Sequence, residues 1–227
     1  MSVGSVVLVG GGPGDPDLLT VGGLRAIREA DVIAYDRLAP LEALDEARPD
    51  ALLIDVGKEP HGRQTTQERI NELLIEHALA GRRVVRFKGG DGYVFGRGGE
   101  EALAWAAAGV PVRVIPGVSS AIAAPALAGI PVTHRSITQG FTVVSGHVAP
   151  GDERSTLDWA ALARLNTTLV ILMGTTHLPA IASELLVCGK GPEVPAAIVE
   201  RAGTPGERVV RATLGSIADA ARAHGVR

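Results

Sequence analysis

Cysteine is nearly absent: Cys188 is the single thiol in 227 residues. One thiol forms no internal disulfide and builds no cysteine-based zinc site. It suits a reducing compartment. Aromatic residues are also scarce, with two Trp, two Tyr and three Phe, so platforms for stacking single-stranded bases are not expected. Basic residues are not in excess, since 22 Lys and Arg stand against 25 Asp and Glu for a net charge of −3. That balance argues against a general nucleic-acid partner. Long hydrophobic runs are missing too. The longest small-apolar stretch, Ala121–Val132, is broken by Pro125, Gly129 and Pro131 and falls short of a membrane span. Residues Met1 to Ser5 carry no basic segment, and the apolar run Val6–Val9 is too short for a secretory leader. The expectation is a soluble, cytoplasmic protein with no membrane partner.

What is present is a hydrophobic content of 46%. With low net charge, that excludes disorder and supplies a core. Short β-branched runs alternate with helical patterns. Strands are predicted at Ser5–Val9, Val32–Tyr35, Ala51–Val56, Arg83–Phe87 and Val112–Ile115, then at Phe141–Ser145, Thr168–Met173, Ala196–Glu200 and Arg208–Thr213. Helices are predicted at Leu18–Ala30, Gln64–Leu79, Glu100–Ala108 and Ser119–Leu127, then near Leu157–Leu165, Leu178–Val187 and Gly215–His224. This rhythm means α/β with mainly parallel sheets. The restart after Pro116-Gly117 places a domain boundary near 113–117, giving an N-terminal α/β domain at 1–114 and a C-terminal one at 115–227. The polar segment His147–Ser155 reads as a mobile surface loop.

Glycines cluster after two predicted strands, at Gly10, Gly11, Gly12 and Gly14 and again within Gly89–Gly99. Such loops let a ligand approach the backbone closely. They are not nucleotide fingerprints. From Gly10 the pattern runs G-x-G-x-x and then Asp15 where a third glycine belongs, and Pro13 removes an N–H. No Walker G-K-[ST] follows either cluster. The Asp in Gly90-Asp91 suits a cationic or amine-bearing ligand, with ordinary turn chemistry as the alternative. Gly117-Val118-Ser119-Ser120-Ala121 resembles a nucleophile elbow that Asp152 or Asp158 and His177 or His224 would complete, but Ser-Ser before a helix is also an ordinary cap. The histidines show no metal-ligand spacing, so no metal is expected. Arg37, Lys58, Arg63, Arg97 and Arg135 lie in or beside predicted loops, and His134 sits with Arg135. If these loops converge they favour an anionic small molecule. Asp36 and Lys58 end predicted strands, where catalytic groups sit in open α/β sheets, and could exchange protons or form an ion pair.

Collinear stretches carry a resemblance. They are VVLVGGGPGDPDLLTVGGLRAIREADVIAYDRL (6–38), VGK (56–58), TQERIN (66–71), VVRFKGGDGYVFGRGGEE (84–101), VIPGVSSAIAAPALAGIPVTHR (114–135), SGH (145–147), TTLVILMG (167–174) and PAAIVERAGTPGERVVRATL (195–214). Together they resemble the tetrapyrrole methylase family, and VFGRGGEE with VTHR resembles its uroporphyrinogen-III C-methyltransferases. The resemblance implies two α/β domains with S-adenosyl-L-methionine in the cleft between them, a homodimer, and methylation of an anionic tetrapyrrole at C2 and C7, giving precorrin-2. A later precorrin methyltransferase is the nearest sister activity. It implies cofactor contacts at Pro13, Gly89, Gly90, Asp91, Val94, Ser119, Ser120, Met173 and Ala202. It makes Asp36 a proton acceptor and Lys58 a donor, and it gives Arg37, Arg63, Arg97, His134 and Arg135 a polycarboxylate substrate. Two departures stand out. Gly92 replaces a usual proline, which loosens the loop, and Gly203 replaces a usual threonine. Without a fused dehydrogenase–chelatase or synthase segment, a monofunctional enzyme is expected.

Overall fold

A computed structural model describes residues 2–57 and 66–226. The chain divides into two compact units, Met1–Ser120 and Ala121–Arg227. The first contains β1 (Ser5–Gly10), α1 (Val21–Glu29), β2 (Val32–Tyr35), β3 (Leu52–Asp55), α2 (Gln67–Leu79), β4 (Arg83–Lys88), α3 (Gly98–Ala107) and β5 (Val112–Ile115). α4 (Ser120–Leu127) opens at the division. The second unit continues with β6 (Phe141–Ser145), α5 (Trp159–Arg164), β7 (Thr168–Leu172), α6 (Leu178–Val187), β8 (Pro195–Glu200), β9 (Arg208–Thr213) and α7 (Ile217–Ala223).

Helix starts follow local capping chemistry. Thr20 accepts a hydrogen bond from the Gly23 amide, so α1 begins three residues after the predicted start, behind a 3-10 turn at Pro16–Leu18. Thr66 and Asp158 cap α2 and α5 in the same way. α3 instead begins two residues earlier than predicted, behind Arg97 in a left-handed conformation.

The first sheet runs β3-β2-β4-β1-β5, and every pair is parallel. Its central strands β2, β4 and β1 are buried over most of their length, whereas the edge strand β3 is largely exposed. One face packs Val6, Leu8, Val32 and Val84 against Leu74 of α2 and Trp105 of α3. The other packs Val9, Ile33, Val85 and Phe87 against Ile27 of α1. In the second unit β6 and β7 pair in parallel, whereas β8 and β9 pair antiparallel. The short 201–207 connection leaves no room for a parallel crossover. Ile181, Leu185, Trp159, Ile198 and Ile217 form that unit's core. The predicted boundary at 114/115 falls at the end of β5, but residues 116–120 stay with the first unit because Gly117 packs onto its loops. Among the described residues no helix is long and apolar enough to cross a membrane.

At the amino-terminal edge of the first sheet, Asp31 ties three segments together. It accepts from the Arg83 amide at 2.8 Å, and its other oxygen meets Arg48 at 2.9 Å. Arg83 holds the Asp31 carboxyl below its ordinary 3.8. A depressed carboxylate contributes stability above its unfolded value and loses it as pH falls through the folded one. Asp31→Asn should therefore lower the urea midpoint at pH 7, and the deficit should shrink as pH falls below 3.8. Urea titrations at several pH values check this, and a pH-independent gap would contradict it.

Candidate functional site

A parallel sheet sends all of its carboxyl-end loops to one edge, where open α/β sheets bind ligands. In the first unit these loops touch backbone to backbone. The Gly12 and Gly90 amides exchange hydrogen bonds with each other's carbonyls at 3.1 and 2.6 Å. The Gly11 amide donates to the Lys88 carbonyl at 2.7 Å. A Cβ on Gly10 would lie 2.5 Å from the Gly117 nitrogen, and one on Gly117 would collide with the Gly90 carbonyl oxygen. A Cβ on Gly89 would strike the Leu38 carbonyl of the loop after β2. Only glycine permits these approaches.

Asp91 locks this arrangement. One carboxylate oxygen accepts from the Gly117 amide at 3.0 Å and the other from the Tyr93 amide at 2.8 Å. Gly92 does not leave the loop loose, contrary to expectation. It is buried, its carbonyl accepts from the Gly98 amide at 2.9 Å, and Leu8 packs where a side chain would sit. Phe95 and Arg97 both take positive φ, 55° and 57°. Non-glycine residues rarely do so, and such strain clusters at ligand-binding loops. Tyr93, Val94 and Phe95 are exposed.

The first unit thus brings Pro13, Gly89, Gly90, Asp91 and Asp36 to one edge. Ser119 and Ser120 lie at the entry to α4, with the Ser120 hydroxyl 4.0 Å from where a Gly90 Cβ would be. Asp36 follows β2. Its Oδ1 accepts from the Leu38 amide at 3.1 Å, and its Oδ2 faces Arg86 at 3.4 Å. Arg37 packs beside Gly57, the residue after the turn out of β3. Arg97 is exposed and paired with Glu100 at 2.6 Å. Lys58 and Arg63 lie outside the described residues.

In the second unit Met173 follows β7 with φ 57°, and the buried Ala202 follows β8, next to Arg201 at φ 53°. Gly203 has φ 72° and donates its amide to Glu207, so a threonine there would be strained. His134 and Arg135 lie in a tight turn closed by the His134 amide on the Thr138 carbonyl at 2.7 Å. The segment after β6 is built of turns, with Asp152 paired to Arg154. The elbow's candidate partners are engaged locally: Asp158 caps α5, and His224 Nδ1 meets the Ala220 carbonyl at 2.8 Å. Among the described residues no group of His, Cys, Asp and Glu could hold a metal ion.

The sequence reading missed a buried charge cluster. Glu101 is fully buried, and Arg86 and Lys88 are 3% and 7% exposed. Glu101 meets Arg86 at 3.2 Å and Lys88 at 3.3 Å. Gln67 donates to it at 2.9 Å. Burial pushes the Lys88 ammonium below its ordinary value and Arg86 adds to this, while Glu101 and Asp36 oppose it. The available signal was that Arg86 and Lys88 stand at alternate positions with apolar residues between and before them, after Arg83 opens the strand.

Known proteins match this chain along nearly its full length. Residues 5–218 match the family described as Tetrapyrrole (Corrin/Porphyrin) Methylases. A uroporphyrinogen-III C-methyltransferase of Methanocaldococcus jannaschii is 49% identical over 226 residues, covering 99% of this chain and 92% of that protein. A siroheme synthase of Tolumonas auensis is 48% identical over 219 residues, which cover 96% of this chain but 46% of that protein. The chain therefore spans about half the length of that synthase. The crystal structure of uroporphyrin-III C-methyl transferase from Thermus thermophilus complexed with S-adenyl homocysteine superposes with a TM-score of 0.79. The two are 45% identical, with 95% of this chain and 86% of that one covered.

Removing the buried anion that Arg86 and Lys88 share leaves Lys88 without its ion-pair partner and Arg86 with Asp36 alone. Glu101→Gln should cost about 3–5 kcal/mol of stability. Chemical denaturation monitored by circular dichroism measures it, and a loss under about 1 kcal/mol would contradict the buried pairing.

Proposed function

Because the chain belongs to the tetrapyrrole methylase family, we propose that it methylates uroporphyrinogen III at C2 and then C7, with S-adenosyl-L-methionine as donor. The product is precorrin-2, formed by way of precorrin-1. The observation that carries this reading is 49% identity across 99% of the chain to a uroporphyrinogen-III C-methyltransferase. The T. thermophilus enzyme, 45% identical, binds S-adenosylhomocysteine.

The residues fit the cofactor. Gly10, Gly90 and Gly117 meet backbone to backbone, and the side chain that reaches this contact, Asp91, is an anion. A phosphate would be repelled there, whereas a ligand carrying a sulfonium and an amine is not. When bound, S-adenosyl-L-methionine supplies a methyl group already activated on sulfur. The protein then has to place that group in line with a ring carbon. In this reading Pro13, Gly89, Gly90, Asp91, Val94, Ser119 and Ser120 bind the cofactor, and Arg37 and Arg97 face substrate carboxylates. Asp36 accepts the proton that the methylated ring must lose. The C–H bond breaks, its electron pair returns to the ring, and an O–H bond forms on the carboxyl. Lys58 is assigned as the proton donor.

We further propose that the protein works as a cytoplasmic homodimer. Light scattering at twice the chain mass would support the dimer, and the mass of a single chain would refute it.

Anaerobic incubation with uroporphyrinogen III and S-adenosyl-L-methionine, followed by mass spectrometry of the oxidised products, should show a gain of two methyl groups. No gain with cofactor binding intact would move the substrate elsewhere in the family. Asp36→Asn should lower kcat by about 100-fold or more and leave S-adenosylhomocysteine affinity within about twofold. Gly117→Ala should weaken that affinity more than about tenfold, because the loops must part to admit the methyl group. Calorimetric titration of both variants separates the two roles.

A further inference from the structure

β4 carries Arg86 and Lys88 two residues apart, so both project from the same face of the sheet. That face is otherwise packed with Val6, Leu8, Val32, Ala34 and Val84. Apolar side chains there would fill the same space without the desolvation cost of buried ions. The cations nevertheless stand there, and their partners are specific. Glu101 Oε1 accepts from Arg86 Nε at 3.2 Å, from Lys88 Nζ at 3.4 Å and from Gln67 Nε2 at 2.9 Å. Its Oε2 lies 3.3 Å from Lys88 Nζ. Every edge of the Arg86 guanidinium is used. Nε meets Glu101, Nη1 donates to the Phe87 and Ala34 carbonyls at 3.1 and 3.4 Å, and Nη2 reaches Asp36 Oδ2 at 3.4 Å. A planar group held on three sides has one orientation.

Within this ionic cluster only Asp36 opens appreciably to solvent. Its side chain is 23% exposed, against 4%, 9% and 0% for Arg86, Lys88 and Glu101. The Leu38 amide holds its other oxygen. The carboxylate is therefore clamped from both sides at the edge where ligands bind.

We propose that Arg86 is a positioning residue for Asp36, locked in place by Glu101 and Lys88, and that this buried cluster aims the carboxylate for proton transfer. The proposal rests on the reading of Asp36 as the proton acceptor. Burial and Arg86 both press on the Lys88 ammonium, and Glu101 and Asp36 are the carboxylates that oppose them. Lys88 and Arg86 therefore share one anion, and neither moves without disturbing the other.

The test compares Arg86→Lys, Asp36→Asn, the double variant and the triple variant Arg86→Met/Lys88→Met/Glu101→Leu. Arg86→Lys keeps a cation and loses the fork. It should lower kcat by about tenfold or more while KM for uroporphyrinogen III and S-adenosylhomocysteine affinity stay within about twofold. In the Asp36→Asn background the same substitution should cost nothing further, since it acts through the group already removed. The triple variant replaces the ions with apolar groups of similar size, so it should fold with a normal urea midpoint and still show the kcat loss. A folded triple variant with full kcat would make the cluster purely structural and overturn the proposal, as would losses that simply add in the double variant. Full turnover by Asp36→Asn alone would instead bring down the reading of Asp36 as acceptor, and the positioning role with it.

Discussion

Gly10, Gly90 and Gly117 meet with no side chain between their backbones, and the carboxyl edge of the first sheet is organised around that contact. Three strands of a parallel sheet exit side by side. Ordinary residues would hold their loops apart by at least a Cβ on each. Glycine lets the Gly12 and Gly90 amides pair like a fragment of sheet and brings Gly117 within reach of the Asp91 carboxylate. The loops after β1, β4 and β5 therefore form one unit. Gly89 extends the contact to the loop after β2, which carries Asp36.

Charge is used differently at exposed positions and beneath Asp36. Arg97–Glu100, Arg154–Asp152 and Arg222–Asp219 are largely exposed pairs, and such pairs contribute little to stability. The cluster beneath Asp36 is the opposite case. Its ions have been withdrawn from water, so each is held by the geometry of the others and the loss of one is costly. A buried network of this kind gives orientation more than it gives stability. That suits the role proposed for Asp36, a carboxylate facing a ligand rather than bulk water.

The second unit repeats the close approach in a smaller form. A Cβ on Gly146 would come within 2.7 Å of the Gly174 Cα, so the exits of β6 and β7 also run together. Ser145 Oγ lies 2.7 Å from His147 Nδ1 at the end of β6, beside Met173 with its positive φ at the end of β7. Arg201 takes the same conformation immediately after β8. Among the described residues, the four positive-φ positions other than glycine thus sit in strand-exit loops of the two units. Strain of this kind persists where surrounding contacts over-determine the backbone.

Much of this was legible in the order of residues. Val32–Tyr35 is a short, continuous apolar run and a strand with the predicted bounds because a central parallel strand is buried on both faces, and Val112–Ile115, also a strand with the predicted bounds, is β-branched at Val112, Val114 and Ile115. The glycine clusters marked the edge where the loops pack backbone to backbone because no other residue supports that approach. The failed nucleotide fingerprint pointed away from phosphates because Asp15 and Pro13 are visible without a fold. Element ends were less legible, since a cap such as Thr20 competes with the apolar period that precedes it. What the sequence could not disclose was distance. The pairing of Arg86, Lys88 and Glu101 emerges when strand and helix are packed, because burial and ion pairing are properties of residues 13 to 15 apart in the chain and about 3 Å apart in space. The same holds for Gly92, whose effect on its loop depends on Leu8 from another strand. Local propensity and pattern determined the elements and the glycine-rich character of the carboxyl edge. Only tertiary packing decided which charges are withdrawn from water, and therefore which of them can hold a carboxylate in place.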